Sequence, residues 1–122
     1  MCIRDRLTPH TGAQRIAEAT ASIFERTIVH GHTHLQYDRR VAGMRVIGAG
    51  SVGLPYTNGP FGARWTILGP NVRLINTAYD LDVAHQRIVA TGYPDQRYLQ
   101  TLRNPPTPQE TIADAETRHF SD

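Results

Sequence analysis

The chain contains no lysine: all of its 13 basic side chains are arginine. It has one cysteine, Cys2, so no disulfide can close within the chain, and a reducing compartment is the default expectation. No apolar run approaches the roughly 18 residues of a membrane-spanning helix, and no stretch reads as a signal peptide. A membrane partner is therefore not expected, and a cytoplasmic location is the default. Arginine forks suit phosphate oxygens, yet the net charge is only +2 and Arg39-Arg40 is the one adjacent basic pair. Such scattered charge gives no nucleic-acid footprint. Codon bias in a GC-rich genome accounts more simply for an arginine-only composition.

What is present is a mixed α/β pattern in 122 residues, enough for one modest domain, with no internal repeat. Thr11-Gly12-Ala13-Gln14 offers a capping box, and Ile16, Ala19, Ile23 and Phe24 continue at helical spacing, so a helix is expected over about 12–24. Thr27-Ile28-Val29 starts a β-branched strand running into His30-Gly31-His32-Thr33-His34. Strands over 35–40 and 44–47 flank Ala42-Gly43, and a hairpin turns at Gly69-Pro70-Asn71. Asp80 can cap a helix ending near Gly92, and a short helix carries Tyr98, Leu99 and Leu102. After Asn104 the chain holds three prolines among mostly polar residues, so residues 104–122 are expected to form a mobile tail.

Two motifs compete for a functional reading. Val46-Ile47-Gly48-Ala49-Gly50-Ser51-Val52-Gly53 satisfies G-x-G-x-x-G behind a strand-like run. A dinucleotide fold needs a helix opening at the third glycine and an acidic residue about 20 positions on. Pro55, Asn58-Gly59, Pro60 and Gly62 forbid that helix, and no acid occurs before Asp80. The nucleotide-cofactor reading fails on both counts. The histidine cluster is the more specific signal: in an extended segment His32 and His34 share a face and can point into one metal-binding site. A solvated histidine cluster at a strand end is the plainer alternative.

The order Gly31-His32-Thr33-His34, then Gly50-Ser51-Val52-Gly53-Leu54-Pro55, resembles the end of a calcineurin-like metallophosphoesterase. The first stretch matches the family's G-H-x-H motif. The second matches the later part of the N-P-G-S-V-G-x-P element of its small bacterial phosphodiesterase branch, with Gly48-Ala49 where the family has Asn-Pro. The resemblance covers about residues 7–102 and implies hydrolysis of phosphate esters by metal-activated water. It assigns His32 to one metal and His34 to the other metal of a dinuclear manganese, iron or zinc site. His30, Gly31, Gly50 and Ser51 would lie at the site edge or behind the ligands, the last two lending amides to it.

The family's earlier motifs, D-x-H, G-D-x-x-D and G-N-H-[DE], are absent here. Two imidazoles cannot hold two metals, so the expectation is a catalytically incomplete C-terminal part (residues 7–103) with no catalytic acid, base or nucleophile of its own. Residues 1–6 resemble a translated adaptor or a truncated gene model. The implied fold is part of a four-layer α/β/β/α sandwich: the C-terminal sheet with its flanking helices. Without the facing sheet, Ile28, Val46, Ile47, Trp65 and Leu74 would be partly exposed, inviting a second copy of the chain. The alternative is a non-catalytic binding module with a vestigial or single-metal histidine site.

Overall fold

The computed structural model describes residues 6–117. The elements are α1 (Ala13–Ala19), β1 (Thr27–His30), β2 (Gln36–Val41), β3 (Met44–Ala49), β4 (Ala63–Ile67), β5 (Arg73–Thr77), α2 (Leu81–Ala90), α3 (Gln96–Arg103) and α4 (Pro108–Thr117). The architecture is mixed α/β, with two small sheets and four helices among the described residues. None of these helices is long and apolar enough to cross a membrane.

The three-stranded sheet has the order β1-β3-β2, with β1 parallel and β2 antiparallel to β3. Its register sets His30 and Tyr37 on either side of Gly48. The C-terminal ends of β1 and β3 therefore lie side by side, and both glycine-containing loops leave from that one end. In sheets with parallel strands, ligands gather beyond the carboxyl ends. The second sheet is the β4-β5 hairpin. It is tied to β2 by Gln36, whose Nε2 donates to the Trp65 and Ile75 carbonyls at 2.9 and 3.0 Å.

As the central strand, β3 is covered on both faces, which is why it reads as a nearly unbroken apolar run. Val46 and Ile47 are fully buried, correcting the expectation that both would be partly exposed. Val46 joins Leu7, Ile16, Leu35, Tyr37 and Met44 in the core, with Ile28 and Ile112 packed against it. The expected exposure holds for Trp65 (40%) and Leu74 (39%). Val29 at the outer strand β1 is also exposed, at 41%.

Two further expectations are corrected. The first helix stops at Ala19 and leaves Phe24 95% exposed. The Thr20 hydroxyl bonds back to the Ile16 carbonyl at 2.8 Å, a local competition that closes the helix. Its N-cap is Gly12 without a side-chain bond. Instead, the Thr11 hydroxyl accepts from Thr8 N at 2.8 Å and donates to Glu116 Oε1 at 2.8 Å.

The second correction is α4, which occupies 108–117 where a mobile tail is expected. Thr107-Pro108-Gln109-Glu110 forms a reciprocal capping box. Glu110 Oε2 accepts from Thr107 N at 2.8 Å, and Thr107 Oγ1 accepts from Glu110 N at 3.2 Å. Pro108 suits the first helical position, where no N–H is needed. Ala115 is buried, and Glu116 Oε1 receives the hydroxyls of Thr8 (2.7 Å) and Thr11 (2.8 Å). Residues 118–122 of the expected tail, and residues 1–5 of the expected junction, lie outside the described residues. Arg6 is described and reaches Asp114 at 3.3 Å.

Candidate functional site

The β-period pairing ends at His30, and residues 31–35 form a loop rather than a strand extension. His32 (φ 69°) and His34 (φ 59°) both adopt left-handed backbone, a conformation uncommon outside glycine and found at ligand-binding turns. Strand alternation therefore does not aim these side chains; the loop's own hydrogen bonds do. The Gly31 carbonyl accepts from Thr33 N at 2.8 Å. Thr33 is buried and directs its hydroxyl to the Leu7 carbonyl at 3.4 Å.

His34 is the best-oriented of the three histidines. Its Nδ1 lies 2.8 Å from the Leu54 carbonyl oxygen. A carbonyl can only accept, so Nδ1 carries a proton, and in the neutral imidazole Nε2 keeps its lone pair. Metal-binding histidines are commonly fixed by such a bond from the other ring nitrogen. The Tyr56 ring lies against the His34 imidazole, centroids 4.7 Å apart.

Leu54 is itself held in place. Its N–H donates to Ser51 Oγ at 3.0 Å, while the Ser51 carbonyl accepts from Arg64 N at 2.9 Å. Pro55 is fully buried. The Ser51-to-Pro55 stretch thus clamps the second histidine through Leu54. The Ser51 carbonyl and hydroxyl are spent on β4 and on the turn. That link joins two motifs that sequence spacing alone leaves separate.

His30 sits at the end of β1. Its Nε2 is 2.6 Å from Tyr37 Oη and its Nδ1 is 3.0 Å from the Gly31 carbonyl. Burial pushes the Tyr37 phenol well above its usual pKa, so the hydroxyl stays protonated and donates to His30. His30 thus braces the start of the loop. Tyr37 is not evident from the sequence as a site residue; its pairing opposite Gly48, the one glycine in the strand, is the local signal.

Gly48 is needed for that ring. A Cβ there would lie 2.5 Å from Tyr37 Cε1 and 2.6 Å from the Leu35 carbonyl. Gly50, at φ 87°, passes so close to Arg64 that a Cβ would come within 2.6 Å of Arg64 Cβ. No helix starts at Gly53: residues 51–62 contain bends and irregular chain. The glycines of the G-x-G-x-x-G stretch serve close packing and a turn, not a pyrophosphate.

His32 is exposed on the loop and lines a cavity of about 260 Å³ shared with Arg6, Tyr56, Thr111 and Asp114. Asp38, the carboxylate nearest in sequence, is engaged elsewhere. Arg45 grips it with Nε at 3.0 Å and Nη2 at 2.6 Å and holds its carboxyl below the usual range. Asp82 pairs with Arg103 at 3.3 Å. Among the described residues, no three His, Cys, Asp or Glu side chains converge as a metal-binding group. His34 is not among the residues lining the cavity that His32 opens into.

No family model and no curated protein matches the chain. Among solved structures, the crystal structure of the hypothetical protein PH1004 from Pyrococcus horikoshii OT3 is similar over 79% of this chain, with a TM-score of 0.63 and 17% identity. The chain spans 39% of that protein's length. At this identity the similarity is one of fold.

Proposed function

We propose that the chain is the C-terminal part of a calcineurin-like metallophosphoesterase, a cytoplasmic hydrolase of phosphate esters whose four-layer sandwich is completed by a further α/β half. The observation that carries this reading is the bond from His34 Nδ1 to the Leu54 carbonyl. It joins the G-H-x-H stretch to the Ser-Val-Gly-Leu-Pro stretch and leaves Nε2 of His34 as a donor. The outer strand β1, parallel to its neighbour and bearing exposed Val29, supports a further strand beside it. Exposed Trp65 and Leu74 support a covering layer.

His32 and His34 would hold one divalent ion each, of manganese, iron or zinc. When bound, such a pair activates water for attack at phosphorus and neutralises charge on the phosphoryl oxygens. This chain's own contribution is to orient the imidazoles: Leu54 fixes the proton of His34, and His30 with Tyr37 fixes the Gly31 carbonyl. Two imidazoles alone give partial metal binding and little turnover.

Two measurements test the reading. The coding sequence upstream of Leu7 should continue in frame into D-x-H and G-D-x-x-D. In the protein encoded by that full frame, His32→Ala and His34→Ala should each lower bound Mn²⁺ and phosphodiesterase activity. A genuine stop codon before Met1 overturns the fragment reading and favours a non-catalytic binding module. Unchanged metal content in the double variant removes the ligand assignment.

A further inference from the structure

The helix α4 and the histidine loop line one cavity from two sides. Glu116 is anchored by Thr8 and Thr11, and Arg15 reaches the same carboxylate at 3.6 Å. Ala115 is buried and Ile112 packs on the core. So held, the helix forms one wall of the cavity that His32 opens into, through Thr111 and Asp114. A second cavity of about 660 Å³ shares Tyr56, Thr111 and Asp114 with the first and continues to Asn104, Pro105 and Glu110. The two make one groove that leads from His32 along α4.

The chemistry of the lining selects what can lie there. Arg6 is the arginine lining the groove, and it is paired with Asp114. Glu110 is held ionised by the Thr107 amide and hydroxyl, which lower its pKa. Among the described lining residues two carboxylates, Asp114 and Glu110, stand against one arginine, Arg6, a balance that disfavours a second phosphate. The Thr111 hydroxyl, the Asn104 amide and two carboxylates offer partners to hydroxyl groups. Tyr56 and the adjacent prolines offer flat apolar surface to a ring.

We infer that this groove is the subsite for one organic arm of the phosphate ester, a neutral hydroxyl-bearing ring such as a nucleoside or sugar, and that α4 is a specificity element. This rests on the metallophosphoesterase reading above, because the metal-bound phosphate would set the near end of the groove at His32.

The test uses the ¹⁵N-labelled chain, with thymidine and thymidine triphosphate as probes. Thymidine should shift the amides of Asn104, Glu110 and Thr111, and the triphosphate should shift them at least several-fold less at equal concentration. Thr111→Trp, which fills the groove, should abolish the thymidine shifts. If that variant fails to fold, Asp114→Asn keeps the size and should bring the triphosphate shifts up towards those of thymidine. Mn²⁺ broadening of the His32 and His34 ring signals is recorded in parallel in the protein encoded by the full frame. Absent thymidine shifts with Mn²⁺ broadening intact overturn the subsite and leave the functional reading standing. Absent broadening overturns the functional reading, and the subsite with it.

Discussion

His34 Nδ1 and the Leu54 carbonyl oxygen are 2.8 Å apart, so residues 20 positions apart in the chain fix one imidazole proton between them. Leu54 owes its place to Ser51 Oγ, 3.0 Å from its N–H. Ser51→Ala should cost about 1 kcal/mol, the usual net value of one hydrogen bond. In ¹⁵N-histidine spectra His34 should then change from a single Nδ1–H tautomer to a mixture. An unchanged tautomer would show that Leu54 does not depend on Ser51.

Gly48 and Gly53 separate the structural glycines from the incidental ones. A Cβ on Gly48 meets the Tyr37 ring and the Leu35 carbonyl, whereas one on Gly53 finds its nearest neighbour, Tyr98 Oη, at 3.4 Å. Gly48→Ala should destabilise by about 1–3 kcal/mol through overpacking. Gly53→Ala should lie within about 0.5 kcal/mol of the parent. Urea unfolding of the two variants decides it, and equal costs would contradict the packing argument.

Glu116 is the anchor of α4. Glu116→Ala leaves the fully buried hydroxyls of Thr8 and Thr11 without their acceptor, which should cost about 2–3 kcal/mol. The neighbouring Thr117, whose hydroxyl bonds to carbonyls one turn back, should tolerate alanine within about 0.5 kcal/mol. Hydrogen exchange along α4 should accelerate in the first variant and not in the second.

The Asp38–Arg45 pair gives a pH signature. Arg45 lowers the Asp38 pKa in the folded state, so its contribution is present above the ordinary carboxylate value and is lost as pH falls through the depressed folded value. The pair is solvent-accessible, so Asp38→Asn should cost no more than about 1 kcal/mol at pH 7, and less in high salt. Once the pH has fallen below the depressed folded value, the variant and the parent should be equally stable. A cost that persists there would assign the effect to packing instead.

Much of the framework follows from local sequence. Asp80 caps α2 through Val83 N at 2.9 Å, because a carboxylate before an apolar-periodic run satisfies an otherwise unpaired N–H wherever it occurs. The strands around Ala42-Gly43 and the turn at Gly69-Pro70-Asn71 form as the alternation predicts. In the same way, Pro55 and Pro60 rule out a helix after Gly53 without any tertiary contact. The capping box at Thr107 was equally legible, but three prolines nearby outweighed it in a reading based on composition.

Other features depend on partners remote in sequence, and local pattern could not supply them. Thr11 has the residue type of a cap, yet Glu116 takes its hydroxyl. Val46 is buried in a core that residues from both ends of the chain, Leu7, Ile16 and Ile112, help to build. The sequence by itself determined that His32 and His34 stand two residues apart beside a turn rich in glycine. Only the tertiary structure decided how the loop is built: left-handed backbone at both residues, one ring pinned by Leu54, the other facing α4. The physical reason is that periodicity aims side chains within regular strands, whereas in a loop each ring is aimed by the hydrogen bonds it finds.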